Sequence, residues 1–267
     1  MVNFLEKIVA DKRLEIERQK EALSPRELAQ MVDALMEERD RPLEVRSMRE
    51  SLASSPSGII AEFKRKSPSR GWIHEDARPE DVVPAYDRAG ASALSILTDG
   101  PHFGGSLEYI SRVRNLVKAP ILRKEFIIDE YQLFQARLAG ADAVLLIAAD
   151  LSMDLCRGLM ERAKALRLEV LLEIHDENEL DFCSLGPDMV GVNNRNLETF
   201  RVDVAKSLSM ASKLQSVSVR VSESGISSPE KVKELRSAGY RGFLIGETFM
   251  KEKNPGEALK NFIASTL

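Results

Sequence analysis

Eight short apolar runs recur along the chain from Pro56 onward, each separated from the next by a segment with helical spacing. Several are nearly continuous in Ile, Val and Leu, which is typical of parallel strands covered on both faces. Eight strand–helix alternations over about 200 residues favour a closed (β/α)8 barrel, the TIM-barrel fold, over an open doubly wound sheet. The predicted strands are 58–64, 92–98, 120–126, 142–148, 169–174, 188–194, 218–224 and 241–247.

The helical segments carry recognisable ends. Asp150 is expected to cap the helix that begins at Leu151, and Ser228 followed by Pro229 opens another helix, with Gly239 shortly past its end. No Gly-x-Gly-x-x-Gly follows an early strand, which argues against a dinucleotide-binding fold.

Residues 1–47 differ from the rest because their two helical segments are not followed by strands. The segments are FLEKIVADKRLEIERQK and PRELAQMVDALMEER. We expect an N-terminal helical extension over 1–47 that packs on a catalytic barrel formed by 48–267.

Composition excludes several classes of protein. With 38 basic and 42 acidic residues the net charge is −4, so nothing suggests a nucleic-acid partner. The charged N-terminus predicts no signal peptide, and no window is apolar enough for a membrane span. Cys156 and Cys183 lack metal-ligand spacing and are expected to be reduced thiols of a cytoplasmic protein.

Charged and polar side chains gather where the predicted strands end. In a barrel, alternate side chains point inward and catalysis takes place at the C-terminal rim. Buried charges are costly unless they are paired, so their convergence favours a reactive site. Internal Lys–Glu pairs that only fill the barrel are the alternative. The residues are Glu62, Lys64, Lys124, Glu173, Asn193, Arg195, Glu223 and Ser224.

The last two strands carry a second signal, which points to a phosphate. Ser224-Gly225 follows strand 7, and Gly246-Glu247 follows strand 8 and opens a predicted short helix. The loops after these two strands form the phosphate site of many barrels. Glu247 fits imperfectly, because its carboxylate would repel a phosphate unless it turns outward.

Metal and hydrolase sites find no support in the sequence. The three histidines, His74, His102 and His175, have no partners at metal-ligand spacing. No serine lies in a Gly-x-Ser-x-Gly sequence, so a hydrolase triad is not expected.

Seven stretches, taken in order, closely resemble the indole-3-glycerol phosphate synthase family. They are AEFKRKSPS, ILRKEFIID, ADAVLLI, LLEIH, GVNNRNLETF, VSESGI and FLIGETFM. The resemblance implies a monofunctional enzyme of tryptophan biosynthesis without metal or organic cofactor. Its substrate would be 1-(o-carboxyphenylamino)-1-deoxyribulose 5-phosphate, which is cyclised, decarboxylated and dehydrated to indole-3-glycerol phosphate.

The resemblance also implies roles for the charged residues. Lys124 would be the general acid that protonates the developing alkoxide. Lys64 would contact the carboxylate or phosphate region and serve dehydration, although either lysine could do the latter. Glu62 and Glu173 are alternative bases for the final loss of a proton.

The remaining residues would bind and orient the substrate. By resemblance, Asn193 and Ser224 orient hydroxyls and the leaving water, and Glu223 helps to hold the sugar chain or the lysines. Many family members have Ser where Glu247 stands. Ser67 and Arg195 would lie on the substrate rim, Phe103 and Phe126 would form an apolar wall, and Lys64, Ser224, Gly225, Gly246 and Glu247 would bind phosphate.

Two other functions compete with this hypothesis. The first is another phosphate-binding barrel such as phosphoribosylanthranilate isomerase, which would need a Cys and an Asp at strand ends, where neither Cys156 nor Cys183 is expected. The second is a non-catalytic phosphate-binding barrel, which would have lost Lys124 or Glu173, whereas both are present. We expect a monomer, with a dimer through the N-terminal helices as the alternative.

The stretch SPSRGWIHEDARPED is interpreted as a loop that closes over the substrate.

Overall fold

Eight parallel strands close into a barrel in chain order, and the first strand pairs with the eighth. The computed structural model describes residues 4–38, 45–196, 199 and 201–267. The predicted (β/α)8 fold is confirmed, and every strand lies within two residues of its predicted ends. The strands are β1 Ile59–Phe63, β2 Ala93–Leu97, β3 Ile121–Lys124, β4 Ala143–Ile147, β5 Glu169–Ile174, β6 Met189–Asn193, β7 Arg220–Glu223 and β8 Gly242–Ile245.

Helices precede the barrel and cover its strands. Those before β1 are α1 Phe4–Ala22, α2 Pro25–Glu37 and α3 Met48–Ser54. The others are α4 Pro79–Arg88, α5 Gly100–Phe103, α6 Glu108–Val113, α7 Glu130–Ala139, α8 Met153–Ala165, α9 Ala205–Met210, α10 Pro229–Ser237, α11 Glu247–Met250 and α12 Pro255–Thr266. None of the described helices combines the length and the apolar character that crossing a membrane requires.

The two-residue period of the strands separates two apolar layers. Along β1, Ile60 joins the core inside the barrel, whereas Ile59, Ala61 and Phe63 pack against the surrounding helices. The same alternation places Leu122, Leu145, Leu171, Met189, Val221 and Leu244 inside the barrel.

Helix α3 closes the N-terminal end of the barrel. Its buried Met48 and Leu52 belong to the inner core. The hydroxyl of Ser47, the residue before the helix, donates to Glu169 Oε1 at 2.5 Å, and the Arg49 N–H donates to Glu169 Oε2 at 2.8 Å. The first residue of β5 therefore holds the start of this helix in place.

Helix α1 is attached near the opposite, C-terminal end of the barrel through a buried lysine. Lys12 is 2% exposed, and its ammonium lies 2.7 Å from Glu15, 3.1 Å from Asp99 and 3.1 Å from Glu125. Burial alone would lower the pKa of Lys12, but the three carboxylates raise it, so the lysine stays charged. Asp99 follows β2 and Glu125 follows β3, so this cluster ties α1 to two loops beside the barrel mouth.

One predicted helix cap was wrong, and another helix start was right. Ser152, not Asp150, caps α8, and the Leu155 N–H donates to its hydroxyl at 3.2 Å. Asp150 instead ends a 3-10 turn after β4. Ser228 does begin α10, and Gly239 follows its end with a positive φ.

Two connections between strands and helices contain further short helical structure. Helix α3 ends within the Ser-rich segment 51–58, and Glu177–Leu185 after β5 is a 3-10 helix. The last residue of the second predicted N-terminal helix, Arg39, lies outside the described residues.

Replacing Lys12 with Met should destabilise the protein by about 3–5 kcal/mol, because Asp99 stays buried after losing its cation and Glu125 keeps only the more distant Arg123, at 3.7 Å. Urea unfolding of the variant measures this loss. Lys20→Met on the same helix is the matched control, since Lys20 pairs with Asp129 at 2.7 Å where both side chains are partly exposed. That change should cost less than about 1 kcal/mol. Equal losses from both variants would contradict the role given to Lys12.

Candidate active site

A cavity of about 920 Å³ opens at the C-terminal ends of the strands. Because the strands are parallel, the last inward-facing side chain of each strand points into this space. All the predicted site residues line it: Glu62, Lys64, Ser67, Phe103, Lys124, Phe126, Glu173, Asn193, Arg195, Glu223, Ser224, Gly225, Gly246 and Glu247.

Lys124, the last residue of β3, is held between two glutamates. Its ammonium donates to Glu173 Oε2 and to Glu223 Oε2, both at 2.8 Å. Burial alone would lower the pKa of Lys124, but these two carboxylates and the more distant Glu62 raise it. Lys124 is therefore a charged proton donor fixed at the mouth of the barrel.

Glu173 binds cations or donors through both oxygens. Oε2 accepts from Lys124, while Oε1 accepts from Asn193 Nδ2 at 3.0 Å and lies 3.2 Å from His175 Nε2. Burial would raise the pKa of Glu173, but Lys124 and His175 hold it well below its usual range. Glu173 is consequently ionised.

Glu223 has a poorer environment than Glu173. Its Oε1 has no hydrogen-bond partner among the described residues. Burial and the neighbouring charge of Glu173 raise the pKa of Glu223 to about 7, although Lys124 opposes them. A proton can therefore bind to or leave Glu223 near neutral pH.

Gly191 in β6 makes room for Glu223. A Cβ on this glycine would lie 2.1 Å from Glu223 Oε1, far inside contact distance. Only glycine leaves space for the carboxylate to reach Lys124 in its observed position.

Glu62 and Lys64 form the second ion pair of the mouth. They are two residues apart at the end of β1, so both point inward, and Lys64 Nζ lies 2.5 Å from Glu62 Oε1. Gly246 lies directly beside this pair, because a Cβ there would be 2.5 Å from Glu62 Oε1.

The apolar part of the cavity comes from the barrel and from α1. The rings of Phe103 and Phe126 have centroids 6.0 Å apart and are tilted by 36°. Phe4, Leu5 and Ile8 of α1 line the same cavity. A flat aromatic ligand can be enclosed between the two phenylalanine rings on one side and the end of α1 on the other.

The turn after β7 is held in an uncommon backbone conformation. Ser224 has φ +69° and Gly225 has φ +77°, and a positive φ is unusual for serine. Asn194 stabilises the turn, because its buried side chain donates to the Ser224 carbonyl at 3.0 Å and accepts from the Ser207 hydroxyl at 2.8 Å.

Glu247 begins α11, and its side chain is partly exposed. Its Oε1 lies 3.2 Å from Arg70 Nε, which is on the loop after β1. Arg70 therefore compensates the negative charge of Glu247 at the edge of the cavity.

Four contributors to the site escaped the sequence analysis. They are Asn194, His175, Arg70 and the apolar end of α1. A signal existed only for His175, because it lies two residues after Glu173 and shares its direction along the strand. Among the described residues, no three His, Cys, Asp or Glu side chains are grouped so that they could hold a metal ion.

Comparisons with known proteins agree with this geometry. The sequence model of the family described as indole-3-glycerol phosphate synthase matches residues 5–262. Proteins of that name from Bacteroides thetaiotaomicron, Neisseria gonorrhoeae and Carboxydothermus hydrogenoformans are similar to this chain. The Bacteroides protein is 57% identical over 98% of this chain and 98% of its own length. The Neisseria protein is 46% identical over 96% of this chain and 97% of its own. The Carboxydothermus protein is 40% identical over 98% of this chain and 100% of its own.

A solved structure supports the fold alone. The crystal structure of a 3-hexulose-6-phosphate synthase matches with a TM-score of 0.65 at 15% identity. The match covers 79% of this chain and 100% of that one.

Gly191→Ala should displace Glu223 from Lys124 and lower the rate of indole formation by about 10²-fold, since small errors of placement are costly in catalysis. Steady-state kinetics with the carboxyphenylamino-deoxyribulose phosphate measure this. Gly158→Ala is the control, because a Cβ on that glycine of α8 meets nothing within 4 Å. Full activity in Gly191→Ala would contradict the requirement for glycine.

Proposed function

This chain belongs to the indole-3-glycerol phosphate synthase family, and we propose that the mouth of its barrel performs the ring closure with Lys124 as general acid. The enzyme is a carboxy-lyase of tryptophan biosynthesis. It converts 1-(o-carboxyphenylamino)-1-deoxyribulose 5-phosphate into indole-3-glycerol phosphate, carbon dioxide and water. The observation that carries the proposal is the charged Lys124, whose ammonium is held 2.8 Å from each of two buried glutamates.

Ring closure places negative charge on the ketone oxygen of the substrate. The ring carbon that bears the carboxylate attacks the ketone carbon, and the C=O electrons move to the oxygen, which takes a proton from Lys124. A fixed cation at a developing alkoxide stabilises the transition state, and a positioned acid contributes about 10²–10⁴-fold. Loss of carbon dioxide then returns an electron pair to the ring.

Dehydration needs an acid for the departing hydroxide and a base for the last proton. We assign the acid to Lys64 and the base to Glu62. Both oxygens of Glu173 already face donors, whereas Glu62 pairs with Lys64 through one oxygen. Glu173 is then the residue that holds Lys124 in place.

The substrate is bound at its two ends. The anthranilate ring is assigned to the space between the apolar wall of Phe103 and Phe126 and the end of α1, and the phosphate to the backbone of Ser224-Gly225 and Gly246-Glu247, with Lys64 beside it. Asn193 orients the substrate's hydroxyls, and Ser67 and Arg195 complete the rim.

No observation favours the two competing functions. Cys156 is buried in α8 and Cys183 lies in the 3-10 helix after β5, so neither occupies the strand-end position that the isomerase needs. A non-catalytic barrel would be expected to have lost Lys124 or Glu173, and both are present. We propose that the protein works as a monomer in the cytoplasm, and its two free thiols fit a reducing compartment.

The segment interpreted as a loop over the substrate forms a short hairpin. Lys66–Ser67 pairs with Gly71–Trp72, and the Ile73 N–H donates to the Arg65 carbonyl at 2.8 Å. Trp72 is 46% exposed. The Arg65 guanidinium and the Lys66 ammonium lie 5.2 Å and 5.6 Å from its ring centroid.

Lys124→Ala should lower indole formation by at least about 10²-fold, because the reaction loses its acid and its fixed cation. Fluorescence of the indole product, without added metal or cofactor, measures the rate. Lys118→Ala is the control, because that lysine is exposed before β3, at the other end of the barrel. Equal rates in the wild type and both variants would support the enzymatic activity but contradict the role of Lys124 as its acid. If the wild type binds the substrate without converting it, a binding function is favoured instead.

Hydrogen exchange should show that the hairpin closes over bound ligand. We expect amides between Ser67 and Asp76 to gain protection when indole-3-glycerol phosphate is added, while amides of α12 remain unchanged. Equal protection with and without the ligand would contradict closure.

A further inference from the structure

His175 is buried beside the catalytic pair, but no step of the proposed mechanism uses it. It follows β5 directly, and its side chain is 9% exposed. Nε2 lies 3.2 Å from Glu173 Oε1, and Nδ1 lies 3.6 Å from Glu179 Oε2. These are charge contacts, because neither ring nitrogen has a partner in hydrogen-bond geometry among the described residues. The backbone N–H of His175 also donates to Glu179 Oε2 at 2.6 Å, which fixes Glu179 beside the ring.

Three carboxylates on three different elements lie near this histidine. Glu173 belongs to β5, Glu179 to the 3-10 helix Glu177–Leu185, and Asp150 to the 3-10 turn after β4. Asp150 Oδ2 is buried and has no hydrogen-bond partner among the described residues. Burial and the charges of Glu173 and Glu179 raise the pKa of Asp150 to about 7, while His175 opposes them. Lys124 is the other cation of this group and lies on the far side of Glu173.

We propose that His175 is a positioning residue, a buried imidazolium that keeps Glu173 charged and aimed at Lys124 throughout the reaction. This inference rests on the roles proposed above for Lys124 and Glu173. His175 itself does not touch the cavity; it acts through the carboxylate.

The need for such a cation follows from the transfer of the proton. Once Lys124 has protonated the substrate's alkoxide, its ammonium charge is lost and Glu173 faces a neutral amine. A carboxylate buried without a cation takes up a proton itself, and its hold on Lys124 then weakens. His175 and Asn193 remain on Oε1 and keep Glu173 ionised, so Lys124 stays in place until a proton returns to it.

Glu223 differs in this respect from Glu173. Its second oxygen has no donor among the described residues, and the pKa of Glu223 is raised to about 7. The two glutamates that hold Lys124 therefore divide their tasks. Glu173 is the constant anion, and Glu223 is the one that can exchange a proton.

The charge of His175 is consistent with this task. Burial alone would lower the pKa of His175, but Glu173 and Glu179 raise it to about 9. The ring is then protonated below about pH 9 and loses its charge above it. Replacing His175 with an uncharged residue should raise the pKa of Glu173. The acid limb, the fall in rate as Glu173 becomes protonated, should then move to higher pH.

Kinetics of His175→Gln test the proposal, because glutamine is polar but carries no charge. We expect kcat to fall about 10- to 100-fold with KM changed less than about threefold, and the acid limb of kcat to move to higher pH. His102→Gln is the matched control. It breaks a His102–Asp11 pair of 3.4 Å between α5 and α1 and should leave the acid limb in place.

Histidine NMR provides a second test that does not depend on activity. The chain has three histidines, so the ring signals of ¹⁵N-labelled protein can be assigned with the two variants. His175 should remain protonated at pH 7.5 in the wild type. Glu179→Gln keeps a side-chain oxygen that can accept from the His175 N–H but removes the charge, so it should move the titration of His175 to lower pH.

The outcomes separate this inference from the proposed function. A neutral His175 at pH 7.5, or an unchanged acid limb in His175→Gln while Lys124→Ala is inactive, would overturn the inference alone. A wild-type protein that makes no indole product would overturn the proposed function instead.

Discussion

The burial of one positive charge between two negative ones organises the active end of this barrel. Lys124 lies between Glu173 and Glu223, two buried carboxylates for which the loss of a cation would be very costly. Such a group seldom adds stability compared with apolar residues of the same size. In the proposed mechanism its value is preorganisation, because the cation is already fixed where the substrate's oxygen would become negative. Neighbouring residues serve this arrangement: Gly191 leaves space for one carboxylate, and Asn193 anchors the other.

Helix α1 is part of the same electrostatic arrangement. Lys12 pairs with Glu125, which stands directly after Lys124 and directly before Phe126, and the Phe126 N–H donates to Glu125 Oε1 at 2.9 Å. The helix also adds apolar side chains to the cavity wall. The N-terminal segment and the barrel therefore share one ionic cluster and one cavity, and the carboxylate that Lys12 binds belongs to the residue next to Lys124.

Local periodicity made the barrel and the inward direction of its polar residues predictable. Glu62 and Lys64 share a direction because strands repeat every two residues, and Lys124 follows the same rule after Leu122. Contacts between distant segments were not predictable. Lys12 meets Asp99 and Glu125 across most of the first half of the chain, and Asp150 reads as a helix cap although Ser152, two residues later, takes that position. The pairing of His175 with Glu179 depends on a 3-10 turn that apolar spacing does not reveal.

The hairpin after β1 has an optical consequence. It carries the single tryptophan of the chain, Trp72, which lies over Gly104 with two cations near its ring. The intrinsic tryptophan fluorescence of the protein therefore comes from one site at the rim of the barrel. The reaction product is itself an indole, so enzyme and product emit from the same chromophore a short distance apart. Time-resolved emission can consequently report the movement of this rim and the appearance of product in a single recording, provided that the two lifetimes are separated.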